Sequence, residues 1–126
     1  MPSTEVNDLV ELNSSILNSV KEQCGIPAVR TEFDKILQLD INTAFSILNQ
    51  LGVGPEEPFI ITGSSETWDQ FITQENMEMV KTFVSLKVRQ LFDPPNGTVS
   101  EILTKVLDEL TFRLNVGVNQ DAKQYE

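Results

Sequence analysis

Residues 79–101 read MVKTFVSLKVRQLFDPPNGTVSE, and they combine a helical pattern, a break and a second helix start. The first half of this stretch places Val84 and Val88 four residues apart, which is the spacing of one helix face. Residues 93–97 then end that helix, because two consecutive prolines remove two amide donors and fix φ. The next four residues, 98–101, match the capping box that opens a helix. The stretch therefore predicts two helices that a sharp turn sets antiparallel.

The same helical period recurs along the rest of the chain, where glycine and proline interrupt it. We predict further helices over about residues 5–23, from Thr31 to about residue 51, and just after Ser65. The last helix is expected to close at Gly117, since glycine suits the position after a helix end. The side chains expected to face the core include Ile36, Phe45, Trp68, Leu91, Phe92 and Val106.

These elements place the chain in the all-α class, as a small irregular bundle of four to five helices. At 126 residues, we expect a single helical domain over residues 1–116 and a flexible C-terminal tail over residues 117–126. One long loop, about residues 52–65, is rich in glycine and proline. Its residues 59–61 are apolar, and they either form a short strand or pack onto the core.

Composition limits the possible functions. Nine basic residues face nineteen acidic ones, and the net charge of −10 opposes binding to nucleic-acid backbones or to anionic membrane surfaces. The chain has no histidine, which excludes His-based acid–base catalysis and His-ligated metals. The lone Cys24 cannot form an internal disulfide, so a reducing, cytosolic context is favoured. We therefore predict that the protein is not an enzyme and has no cofactor.

The composition does not exclude metal-dependent catalysis by carboxylates. Some all-α enzymes hydrolyse nucleotides with Mg²⁺ held by Glu and Asp side chains. The nearest pattern here is Glu75 with Glu78, and Asp108 with Glu109 on a later helix. The doubled motif E-E-x-x-E of that enzyme group is missing. We therefore predict no metal site and no catalytic residue.

Four stretches of the chain carry a family resemblance: DINTAFSILNQLGVG (40–54), TWDQF (67–71), MVKTFVSLKVRQLFDPP (79–95) and ELTFRLNV (109–116). They resemble small proteins encoded in the structural-gene modules of long-tailed bacteriophages of Gram-positive hosts. Those proteins look like members of the head–tail connector (adaptor, head-completion) family. The resemblance covers about residues 5–116, and the run LKVRxLFDPP is fairly specific to that phage group.

The resemblance implies a non-enzymatic virion protein at the head–tail interface, made in the cytoplasm of the host bacterium. Connectors of this type assemble as a twelvefold ring beneath the portal, extend the DNA channel and give the tail its docking surface. The implied partners are the portal protein, neighbouring copies of the chain, and a tail-side connector or tail terminator protein. DNA is implied only as passing cargo, and the acidic composition agrees, because an acidic channel wall repels phosphates.

We predict that loops and chain ends carry the protein contacts. Glu56 and Glu57 stand beside Phe59, and an exposed aromatic next to two carboxylates suits a basic patch on an adjacent subunit. In the alternative, Phe59 folds onto the core. Tyr125 is the expected anchor of the C-terminal tail on the portal. Two other functions stay open: a small helical adaptor or regulator that binds a phage or host protein without forming a ring, and the Mg²⁺-dependent hydrolase.

Overall fold

Five helices make up the described part of the chain. The computed structural model describes residues 15–71 and 76–124, with side chains as far as Val118. The helices are α1 (Ile16–Gln23), α2 (Asp34–Gln50), α3 (Trp68–Phe71), α4 (Met77–Phe92) and α5 (Gly97–Gln124). Within these ranges there is no strand, and one isolated antiparallel bridge joins Ser15 to Thr67. The all-α prediction is confirmed.

Helix α4 lies at the centre of the bundle. It packs against α1, α2 and α5, and α2 also packs against α1. Val80, Val84 and Val88 of α4 are completely buried. They recur once per turn, so one stripe of the helix stays inside the core along its whole length.

Helices α2 and α5 begin at the same end of the bundle. The link between α4 and α5 is only four residues long, residues 93–96, so α5 returns antiparallel to α4. Phe33, which directly precedes α2, packs its ring edge-on against Phe92 at the end of α4, with 5.5 Å between the ring centroids. The first turns of α2 and of α5 therefore both lie beside the last turn of α4.

The double-proline break predicted at residues 93–97 is confirmed, but its surroundings differ in detail. Helix α5 begins at Gly97, whose φ of 62° is accessible to glycine, so Thr98 lies in the first turn and not ahead of the helix. Phe92 is half-buried, whereas Leu91 is 42 % exposed. The prediction that Leu91 faces the core is wrong, because none of the described helices covers that side of α4.

Helices α1 and α3 begin later than the sequence predicts, and for a shared reason. Helix α1 begins at Ile16, where Ser15 Oγ accepts a hydrogen bond from Asn18 N at 3.2 Å. Helix α3 begins at Trp68, so the predicted cap at Ser65 is wrong. The bridge between Ser15 and Thr67 fixes both starts side by side. Residues 5–14, the predicted first part of α1, and Ile72 lie outside the described residues.

Helix α2 also starts differently from its prediction. It begins at Asp34, and no side chain caps its first amides. Thr31 contributes its carbonyl oxygen, which accepts a hydrogen bond from Asp34 N at 3.2 Å. The predicted capping role of the Thr31 side chain is wrong, and the carboxylate of Asp34 is used elsewhere, as described below.

The last helix is longer than predicted. Helix α5 continues through Gly117 to Gln124, so the predicted end at Gly117 is wrong. Val118 packs against the core and lies beside Gly52, where an added Cβ would come within 3.2 Å of a Val118 methyl carbon. Val118 therefore anchors the first turn of the predicted tail, residues 117–126, on the core. The flexibility assigned to this tail stays a prediction.

Candidate interaction surface

Two of the predicted contact residues, Glu56 and Glu57, lie on the 51–67 loop, which joins α2 to α3. Both side chains are exposed. The backbone beneath them is tied to the end of α2, because Asn49 Nδ2 donates to the carbonyl oxygens of Pro55 at 3.4 Å and of Glu56 at 3.2 Å. Two carboxylates are thereby presented to solvent from a fixed stretch of backbone.

Phe59 is not the exposed aromatic that the sequence suggested. Its half-buried ring lies edge-on to Phe45 and Phe71, with centroid distances of 5.1 and 5.3 Å. Phe45 and Phe71 are themselves 4.6 Å apart, and Ile61 is 1 % exposed. Phe59 and Ile61 therefore pack onto the core without forming a strand, as in the second alternative, whereas Ile60 between them is 59 % exposed. Phe59 fixes the loop and is not part of its outer surface.

A side-chain amide holds the same loop from within the bundle. Asn42 on α2 accepts a hydrogen bond from Ile61 N at 2.8 Å on its Oδ1 and donates from Nδ2 to Ile61 O at 3.1 Å. Both backbone groups of a buried residue are thus satisfied by one side chain, which is the usual requirement for polar groups in a core.

A carboxylate closes the last part of the 51–67 loop. Glu66 Oε2 accepts hydrogen bonds from Thr62 N at 2.9 Å and from Thr62 Oγ1 at 2.8 Å. Burial opposes ionisation of Glu66, but the hydrogen bonds from Thr62 outweigh it and hold the pKa of Glu66 below its ordinary value.

Lys21 is a buried charged residue that the sequence analysis missed. Its side chain is 1 % exposed, and Nζ donates to Ala28 O at 3.0 Å and to Arg30 O at 2.5 Å. Its third partner is Asp34 Oδ1, at 2.8 Å. The ammonium group thus donates two hydrogen bonds to backbone carbonyls and forms an ion pair with Asp34, and it holds the 24–33 loop between α1 and α2. The available signal was the position of Lys21 four residues after Leu17, on the apolar face of α1.

Burial disfavours the charged forms of two groups, the thiol of Cys24 and the carboxyl of Asp40. Burial raises the pKa of Cys24, Arg89 opposes that shift, and Asp93 and Asp40 add to it. Burial also raises the pKa of Asp40. A thiol with a raised pKa is a poor nucleophile, because only the thiolate reacts.

Helices α2 and α5 leave large apolar side chains in solvent. Ile36 and Leu39 on α2 are 50 % and 67 % exposed, and Val99, Ile102 and Val106 on α5 are 52 %, 55 % and 37 % exposed. The prediction that Ile36 and Val106 face the core is wrong. The apolar faces of both helices are wider than the surface that their neighbours cover, and sequence periodicity does not reveal how many neighbours a helix has.

Trp68 is completely buried, as predicted, and its Nε1 donates to Ser19 Oγ at 3.1 Å. Over residues 15–71 and 76–124, no three His, Cys, Asp or Glu side chains gather where they could hold a metal ion. In the same ranges no helix has the length and hydropathy of a membrane span. Glu75 and Tyr125 lie outside the described residues.

Comparison with known proteins bears on this arrangement. A family model described as phage connector protein matches residues 16–121, which run from the first residue of α1 almost to the end of α5. No curated protein and no solved structure shows significant similarity to the chain. The match agrees with the resemblance carried by the four sequence stretches.

Proposed function

The chain belongs to the phage connector protein family, and we propose that it is a head–tail connector that forms a ring beneath the portal of a long-tailed phage. The family match carries this proposal, since it covers α1 to α4 completely and α5 as far as residue 121. The connector family is a structural one, and the absence of histidine from the sequence agrees with a protein that has no enzymatic activity and needs no cofactor.

In this role the ring extends the DNA channel and offers the tail its docking surface. The net charge of −10 supports the first part, because an acidic wall repels phosphates and lets the genome slide past without binding. The proposed partners are the portal protein, neighbouring copies in a twelvefold ring, and a tail-side connector or tail terminator protein. The proposed location is the head–tail interface of the virion, after synthesis in the host cytoplasm.

The 51–67 loop is the proposed point of electrostatic contact. Glu56 and Glu57 are exposed, while Asn49 and Phe59 hold the backbone on either side of them. Fixed carboxylates lose little entropy when a basic patch on the portal or on an adjacent copy binds them. Tyr125 is proposed as a second anchor, since a tyrosine offers large contact area at low entropic cost.

Binding to the portal protein of the same phage tests the proposed function. Purified connector is mixed with purified portal rings, and the complex is analysed by pull-down and native mass spectrometry. We expect a complex with twelve connector copies on each portal ring. Failure to bind would reject the connector function, and binding of single scattered copies would favour the adaptor that acts without a ring.

A charge reversal tests the loop itself. The double variant Glu56→Lys, Glu57→Lys is expected to weaken portal binding at least tenfold and to leave the thermal midpoint of the free protein nearly unchanged. The matched control is Glu22→Lys, Glu78→Lys, which makes the same charge change at two exposed residues of α1 and α4. Equal losses in both variants would show that net charge matters and that the loop has no special role.

A further inference from the structure

The first turns of α5 carry apolar side chains on two sides. Leu103 and Leu107 face the core and are 8 % and 5 % exposed. Val99, Ile102 and Val106 form a second row at the spacing i, i+3, i+7, and we call this exposed row the α5 stripe. Helix α5 packs extensively on α4 alone among the described helices. The α5 stripe therefore has no cover from the described part of its own chain.

The α5 stripe points away from α2. Thr104, Leu107 and Thr111 line a groove that α5 shares with Ile47 of α2. Residues in a helix are about 100° apart around its axis, so Val106 lies about 160° from Thr104. The α5 stripe is thus open on the flank of the molecule that α2 does not occupy.

Helix α2 carries an exposed row of the same spacing. Ile36, Leu39 and Thr43 follow i, i+3, i+7 on its outer side, and we call this row the α2 stripe. Thr43 Oγ1 donates to Leu39 O at 3.0 Å, so its hydroxyl donor is satisfied inside the helix. The α2 stripe therefore offers two large apolar side chains and a threonine, without a charge.

We infer that the α5 stripe of one copy packs against the α2 stripe of the next copy in the assembly. This inference rests on the proposed function and adds to it the two surfaces that meet. The α2 and α5 stripes occupy the first three turns of their helices, and those turns lie at the same end of the bundle. Each stripe spans eight residues, which corresponds to a rise of about 10.5 Å along the helix axis.

The matched position of the stripes favours a closed ring. Neighbouring copies in a ring are related by rotation alone, so surfaces that meet must lie at the same level along the axis. The two stripes satisfy this condition when the helices run along the ring axis. Because they are different surfaces on one chain, their contact is heterologous, and it repeats from copy to copy without forming a twofold dimer.

The net charge of the protein favours a second copy of the same chain as the binding partner of the stripes. Two molecules of net charge −10 repel each other, so they meet most easily where neither surface carries a charge. Neither stripe contains a charged residue. A phosphate backbone would be repelled, and a basic protein would find no carboxylate within either stripe to pair with.

The size of the stripes sets the strength of the contact. Each stripe has only three side chains, far less than the roughly 800 Å² per partner of a standard stable interface. We therefore expect weak association between free copies and firm contact once several copies are held on the portal at high effective concentration.

Paired cysteines test the inference. In a Cys24→Ser background, Leu39→Cys and Ile102→Cys are placed in one chain, which is oxidised both at high protein concentration and on portal rings. We expect a ladder of disulfide-linked multimers on a non-reducing gel. The single variants and the control pair of Leu39→Cys with Phe112→Cys, an exposed residue of α5 outside the stripe, are expected to give no ladder. Circular dichroism of each variant verifies that it is folded.

The outcomes separate the inference from the proposed function. A cysteine pair that forms no ladder in either condition overturns the stripe contact, and so does efficient dimer formation by Ile102→Cys alone, since the α5 stripe would then pair with itself. Portal binding without a ladder rejects the stripe contact and keeps the connector function. A ladder in concentrated protein without portal binding keeps the stripe contact and rejects the connector function.

Discussion

The 24–33 loop and the 51–67 loop are held to the same bundle by opposite means. In the 24–33 loop the side-chain polar contacts converge on one buried ammonium group, that of Lys21, which meets two backbone carbonyls and the carboxylate of Asp34. Apolar packing of Phe33 on Phe92 adds to this polar anchor. In the 51–67 loop the contacts are divided between the ring of Phe59, the amide of Asn42 and the carboxylate of Glu66. One substitution, at Lys21, therefore removes all of these polar contacts of the 24–33 loop, which we call the concentrated anchor. A single substitution in the 51–67 loop removes only part of its contacts.

The largest expected effect is the loss of the concentrated anchor. Lys21→Ala deletes a fully buried side chain and leaves Ala28 O and Arg30 O without this donor. It also breaks the ion pair with Asp34, whose side chain is 29 % exposed, and we expect a total loss of about 3–5 kcal/mol. Urea unfolding followed by circular dichroism measures the loss. The control Lys35→Ala removes an exposed lysine at the start of α2 and is expected to change stability by less than about 0.5 kcal/mol. A loss below about 1 kcal/mol for Lys21→Ala would refute the concentrated anchor.

Phe59→Ala should be the most damaging change in the 51–67 loop. Truncating a fully buried phenylalanine costs about 3–5 kcal/mol, and we expect about 2–3 kcal/mol for this half-buried ring. Phe112→Ala is the matched control, since that ring is 68 % exposed. Hydrogen exchange should accelerate in the 51–67 loop and stay unchanged in the 24–33 loop. Equal acceleration in both loops would mean that they are not held independently.

Asn42→Ala should cost less, about 1–2 kcal/mol, because it removes two neutral hydrogen bonds to one residue. Double variants measure how strongly Asn42 is coupled to the other anchors. The double variant with Phe59→Ala should be non-additive, because both side chains hold the same segment, whereas the double variant with Lys21→Ala should be additive. Additivity in both pairs would show that Asn42 and Phe59 act separately.

The smallest effect is expected from Glu66→Gln, and it should depend on pH. Because the folded-state pKa of Glu66 lies below its ordinary value, its stabilising contribution is present above about pH 4.3 and disappears as the pH falls through the folded-state pKa. The difference in thermal midpoint between the native chain and Glu66→Gln should therefore shrink from pH 6 to pH 3. A difference that grows on acidification would contradict the direction of the shift.

The parts of the fold that local chemistry controls were predictable from the sequence. Two consecutive prolines end a helix in any context, so Pro94 and Pro95 predict the end of α4. The 51–67 loop is predictable for the same reason, because it is rich in glycine and proline. Lys21 was not predictable, because its acceptors on Ala28 and Arg30 reach it only when the loop is folded. The start of α1 depends on Thr67, which is distant in the sequence.

The candidate interaction surface was also predictable only in part. The exposure of Glu56 and Glu57 follows from two carboxylates in a loop, and it was predictable. The position of Phe59 depends on Phe45 and Phe71 from two other elements, so the sequence left two alternatives. The α2 and α5 stripes were assigned in part to the core, because an apolar period does not show whether the matching surface belongs to the same molecule.

The burial of Trp68 gives this protein a built-in optical probe. It is the single tryptophan of the chain, its indole N–H bonds Ser19 of α1, and the ammonium of Lys81 of α4 lies 5.9 Å from its ring centroid. Loosening either helix would let water reach the indole and shift its emission to longer wavelength. Assembly through surface contacts leaves the indole sealed, so intrinsic fluorescence distinguishes a connector that has joined a ring from one that has unfolded.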